Sequence, residues 1–117
     1  MSKSSKEEVE SFLSEFLTKL NTFDVLFLNR DKNREVLLIL EISSLKRSEY
    51  LKSLKLENYF NGPNKDAYDP ESSPNWEFGM EIKGREVYIK INLGKSNKKV
   101  VCISFHIAEK KIIYPFK

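Results

Sequence analysis

Glu77, Tyr88, Lys90 and His106 can each hold a proton or a phosphate, and an alternating pattern near the C-terminus places them together. Trp76 to Ile82 alternates, and Arg85 to Asn92 alternates again across a two-residue turn at Lys83-Gly84. Pairing Ile82 with Arg85 sets Met80 opposite Val87, Phe78 opposite Ile89 and Trp76 opposite Ile91, which puts all six on one apolar face. The other face receives Glu77 opposite Lys90 and Gly79 opposite Tyr88. After the Gly94–Lys99 turn, Val101, Ile103 and Phe105 continue the apolar side, while Cys102, Ser104 and His106 join Tyr88 and Lys90. If Ile89 pairs with Phe105, Tyr88 sits directly opposite His106; a shift of two residues makes the pair diagonal, still within reach of long side chains.

Glutamate, tyrosine, lysine and histidine on one sheet face, with no metal-ligating set, suit metal-independent cleavage of RNA. That reaction needs a base for the 2′-hydroxyl, an acid for the leaving 5′-oxygen and a cation for the phosphorane charge. His106 fits the base or the acid, because a histidine ordinarily titrates near neutral pH. Lys90 or Lys52 fits the phosphate, and Tyr88 fits a hydrogen bond or a stacked base. Each also has a plainer reading. Glu77 and Lys90 make a cross-strand ion pair, Tyr88 covers the exposed side of the sheet, and His106 is a structural residue at a strand end. Lys52 is an exposed helix position, and Cys102 a small strand residue. Periodicity supports the polar constellation; it does not make it catalytic.

The elements that must hold these residues follow from caps, turns and spacing. Ser5-x-x-Glu8 reads as a capping box opening a helix, with Val9, Phe12, Leu13, Phe16, Leu17 and Leu20 as its core stripe. Val25 to Leu28 reads as a short strand. Glu35 to Ile42 suits a buried strand or a helix; its leucines and an Asn33 cap favour helix. Another helix follows from about Lys46 to Leu54, capped by Ser43 or Ser44. Asn58 to Asn75, with Gly62, Pro63, Pro70 and Pro74, reads as a loop at the rim of the polar face. The expected fold is α+β, with N-terminal helices packed on a small antiparallel sheet that ends in a three-stranded meander.

At 117 residues, the chain 1–117 is expected to form one domain. The lone Cys102 excludes an intramolecular disulfide, and one histidine excludes the usual multi-histidine metal sites. No metal and no cofactor is expected. No apolar run suits a signal region or a membrane span, so the cytoplasm is the expected compartment. The net charge of +3 is unevenly spread: from Lys83 to Lys117 there are nine Lys/Arg and two acids, and from Leu56 to Ile82 six acids and one Lys. A basic C-terminal third suits a polyanion, with Lys83, Arg85 and Lys90 as RNA-binding cations. The alternative is solvated lysines on hairpin edges.

Four blocks also resemble, in order, segments of the MqsR family: Glu49-Tyr50-Leu51-Lys52-Ser53, Trp76, Val87-Tyr88-Ile89-Lys90-Ile91, and Ile103-Ser104-Phe105-His106. The resemblance covers roughly Ser48 to His106. It implies a RelE-like fold, a messenger-RNA-cleaving toxin and a neighbouring antitoxin, expected to be of helix-turn-helix type. The family's functional lysine falls on Lys52 and its tyrosine on Tyr88. Its glutamine after tryptophan is here Glu77, and its lysine after Ser-Phe is here His106. Both replacements are competent acid–base groups. The expected catalytic set is therefore His106, Tyr88, Lys52 and Glu77. The competing expectations are a non-catalytic RNA- or protein-binding module, and a phage-type inhibitor that meets a host protein through the acidic stretch Asp66–Glu71.

Overall fold

Ser5 opens the first helix as the capping box requires. Its hydroxyl accepts from Glu8 N–H at 3.2 Å, and Glu8 returns a bond from its carboxylate to Ser5 N–H at 2.8 Å. The computed structural model describes residues 3–67, 69 and 71–117. In chain order it contains α1 (Lys6–Phe23), β1 (Val25–Phe27), α2 (Asp31–Leu40), α3 (Lys46–Lys52), a 3-10 turn (Leu56–Asn58), β2 (Tyr59–Asn64), β3 (Asn75–Ile82), β4 (Arg85–Asn92) and β5 (Val100–Ile107). The three helices and five-stranded sheet make an α+β fold. Among the described residues no helix is long and apolar enough to cross a membrane.

The strand order is β1-β5-β4-β3-β2, and β3, β4 and β5 form the expected meander. The sheet is not wholly antiparallel, because β1 joins β5 in parallel through Val25–Val100 and Phe27–Cys102. The β3–β4 register is the one the alternation demands, from Trp76 opposite Ile91 to Ile82 opposite Arg85. Lys83 and Gly84 both take positive φ, 51° and 80°, as a primed two-residue turn needs.

Residues from all three helices meet the alternate side chains of the strands in one core. Phe12 stacks on Trp76 at 4.3 Å between ring centroids, and Phe16, Val36, Leu51, Phe78, Ile89 and Phe105 are fully or almost fully buried around them. The helices therefore cover one face of the sheet, and Glu77, Tyr88 and His106 occupy the other.

Three expectations change. The segment 59–64, read as loop, is strand β2, an edge strand whose pairing with β3 is broken by two register shifts. Asparagine, glycine and proline disguise it, and an edge tolerates proline because one side of the strand donates to nothing. Asn33 is not a helix cap: α2 begins at Asp31, and Asn33 lies inside it, 1% exposed. The third change explains the second. Between the pairs Lys90–Ser104 and Ile91–Cys102, β5 holds one extra residue, Ile103. This bulge reverses the facing of everything before it, so Cys102 points into the core and not towards Tyr88. Burial pushes its thiol well above the usual range.

Asn33 closes the bulge. Its amide nitrogen donates to the carbonyls of Ile103 and Leu28 at 2.9 Å each, and its oxygen accepts from Phe105 N–H at 3.0 Å. The side chain completes the strand edge where β1 stops. Asn33→Ala leaves two buried backbone groups, the Ile103 carbonyl and the Phe105 N–H, without this partner and is expected to cost about 2–4 kcal/mol. Urea denaturation checks this; a midpoint within error of wild type refutes it.

Candidate functional site

Glu77 on β3 is the centre of the polar face. One carboxylate oxygen accepts from the Tyr88 hydroxyl at 2.5 Å; the other accepts from the side-chain amides of Asn61 at 3.0 Å and Asn64 at 3.1 Å. The two asparagines come from β2, so the unrecognised edge strand is what fixes this carboxylate. Lys90 is the cross-strand partner of Glu77 by register, yet the two form no ion pair. The plain ion-pair reading is corrected: nearer donors occupy the carboxylate.

Tyr88 and His106 sit opposite each other on β4 and β5, with ring centroids 5.4 Å apart and planes tilted by 37°. His106 Nδ1 lies 2.9 Å from the Ile107 carbonyl oxygen. A carbonyl can only accept, so Nδ1 carries a proton there and Nε2 is the free position of the neutral ring. Burial, aided by the bond to Glu77, raises the Tyr88 phenol well above its ordinary value near 10.

These side chains line a cleft of about 390 Å³. Phe60, Glu77, Tyr88, Lys90, Ser104 and His106 form the sheet wall, and Lys110, Lys111 and Ile112 of the C-terminal tail face them. A smaller hollow of about 180 Å³ adjoins it, sharing Glu77 and Lys90 and adding Arg30, Asn64, Lys65 and Asn75. Lys90 therefore stands between two compartments. Larger hollows, about 720 and 960 Å³, open beside the 93–99 turn, and among the described residues neither is lined by a histidine or a tyrosine. Among the described residues no group of three or more His, Cys, Asp or Glu side chains is placed to hold a metal ion.

The structure thus brings together Glu77, Tyr88, Lys90 and His106. It does not bring Lys52, Lys83 or Arg85 to them. Lys52 is exposed on α3, in the helical layer across the sheet, where its neighbour Leu51 is buried in the core. Lys83 lies at the hairpin turn and donates to the Glu41 carbonyl at 3.2 Å, on the helical side. Arg85 is exposed at the start of β4. Asp66 lines the smaller hollow, while Glu71 lies beside the 93–99 turn. Sequence reasoning missed Asn61, Asn64, Lys110 and Lys111. The tail carried a faint signal, since Ile112, Tyr114 and Phe116 alternate with exposed residues. No protein-family model, no curated protein and no solved structure matches the chain.

Because the folded state favours the neutral phenol, Tyr88 stabilises the fold fully below about pH 10 and less as pH rises above it. Absorbance titrations of wild type and Tyr88→Phe should coincide through about pH 11 while both stay folded. One extra tyrosine ionising near pH 10 in wild type would contradict the buried Glu77–Tyr88 bond.

Proposed function

We propose that this protein is a metal-independent endoribonuclease of the RelE-like, MqsR-like toxin type, acting on messenger RNA in the cytoplasm. The observation that carries the reading is the convergence of His106, Tyr88, Glu77 and Lys90 on one wall of a cleft beside further lysines. The resemblance over Ser48 to His106 supports the same class, although Lys52 is remote from the cleft and has no role in this proposal.

His106 Nε2 takes the proton of the 2′-hydroxyl, freeing its oxygen to attack the adjacent phosphorus. Lys90 offsets the charge of the phosphorane and gives a proton to the departing 5′-oxygen. The products are a 2′,3′-cyclic phosphate and a free 5′-hydroxyl. Tyr88 has its proton committed to Glu77, so its oxygen accepts from the ribose and its ring supports a base. Glu77 acts through Tyr88 as a positioning residue, held in turn by Asn61 and Asn64. An antitoxin, of helix-turn-helix type in this reading, covers the open sheet face.

The test is incubation of the purified protein with a defined messenger RNA in EDTA. Discrete fragments ending in 2′,3′-cyclic phosphate are expected. His106→Ala should slow their appearance by about 10²-fold or more, the usual contribution of a general base. RNA that stays intact yet co-migrates with the protein would replace this reading with a non-catalytic RNA-binding module. Intact, unbound RNA, with and without ribosomes, would favour the protein-inhibitor alternative.

A further inference from the structure

Beyond Ile107 the chain turns back across the open sheet face, and Glu86 grips it three times. The Glu86 backbone carbonyl accepts from Ala108 N–H at 2.9 Å. Its carboxylate oxygens accept from Ile112 N–H at 3.2 Å and from the Tyr114 hydroxyl at 3.1 Å. Ile112 is 5% exposed and lies over Gly79. A Cβ at Gly79 would come within 2.5 Å of Ile112 Cδ1 and 2.6 Å of the Tyr114 hydroxyl, so the absent side chain is what lets the tail settle there. Glu109 is engaged by Lys32 from α2.

Residues 109–111 therefore form a short arch with both ends fixed. Its two lysines, Lys110 and Lys111, are exposed and line the same cleft as Lys90 and His106. Among the described residues no carboxylate lies within ion-pair distance of Lys90, Lys110 or Lys111. Of the two carboxylates among the described residues of the cleft lining, Glu109 is paired with Lys32, and Glu77 keeps its charge, held by three neutral donors. With Lys32 offsetting Glu109, the three lysines of the lining outnumber its one carboxylate without a cationic partner, Glu77.

We propose that Lys110 and Lys111 form the second jaw of a phosphate clamp, which holds a single RNA strand between the tail arch and the Lys90 wall of the sheet. This rests on the ribonuclease reading and deepens it. It assigns substrate binding to a segment outside the meander, and it limits the substrate to single strands that can pass between the two walls. Lys110 and Lys111 meet backbone phosphates on either side of the scissile one. They set affinity without reading sequence.

Binding is measured by fluorescence anisotropy on a short 2′-O-methylated RNA of mixed sequence, which lacks the attacking hydroxyl and is not cut. The double variant Lys110→Gln/Lys111→Gln should bind more weakly and lower the salt slope by about 1.4, roughly 0.7 per lost phosphate contact on a single strand. The charge-matched control Lys95→Gln/Lys98→Gln, on the far turn, should keep the wild-type slope. Gly79→Val alters no charge and should weaken binding by lifting the arch. An unchanged slope and affinity in the Lys110/Lys111 variant, while the wild type still cuts messenger RNA, overturns the clamp and leaves the ribonuclease standing. An equal loss in the control also overturns it, because any surface lysines would then serve. A wild type that neither binds nor cuts RNA overturns the ribonuclease reading itself.

Discussion

The side-chain amide of Asn33 sits where β1 would have to continue. Since β1 ends after three residues, β5 would otherwise run on with buried backbone groups and no neighbour. Asn33 supplies two donations and one acceptance at that point, from inside a helix that packs on the same strand. The facing of the β5 residues on either side of the bulge goes with this substitution of side chain for strand. It allows Ile103 to stand as an extra residue in β5. Upstream of the bulge, Val100 and Cys102 can then close the core against β1, while downstream Ser104 and His106 face the cleft. A regular β5 would have had to sacrifice one of these arrangements, because side chains along a strand alternate strictly.

That constraint also sets the limit of what the sequence reveals. The β3–β4 hairpin was legible because six apolar residues agree on one register, and any one-residue slip would put them in water. The same alternation carried through β5 placed His106 correctly opposite Tyr88 but turned Cys102 the wrong way. A bulge leaves no mark in a hydrophobic run, and its best trace was an asparagine among the leucines of α2. Segment 59–64 was hidden for a different reason. Its composition is that of a turn, and it is a strand only because β3 offers an edge and Tyr59 is buried against Trp76 and Phe78. Lys52 illustrates a third limit, since order along a chain does not say on which side of a sheet a helix will lie.

The carboxylates of the open face are held by neutral and backbone donors, which fix their positions and leave their charge in place. Glu81 and Glu86 lie directly across from each other on β3 and β4, an unfavourable pairing of like charges. The tail offsets it by giving Glu86 two donors. Glu77 receives three donors, two of them from asparagines of the edge strand. In both cases a neutral or backbone group holds the acid, and no lysine is consumed. Hydrogen bonding by neutral donors fixes a carboxylate's geometry at the cost of ordering only short side chains, whereas an exposed lysine partner contributes little after its own entropy is counted.

The two walls of the cleft differ in how firmly they are made. The sheet wall belongs to the core: Val87, Ile89, Ile91 and Phe105, alternating with the cleft residues on β4 and β5, are fully buried, so its side chains move only if the fold does. The tail wall depends on one glutamate, one glycine and the burial of Ile112, with Phe116 stacked on Tyr59 beyond it at 5.7 Å. Local opening costs least where buried apolar contacts are fewest. The tail is therefore the side of the cleft that can lift without unfolding the sheet. Opening on that side leaves His106, Tyr88 and Lys90 in their relative positions. The side chains whose relative placement is tightest thus sit on the rigid wall, and Lys110 and Lys111 sit on the one that yields first.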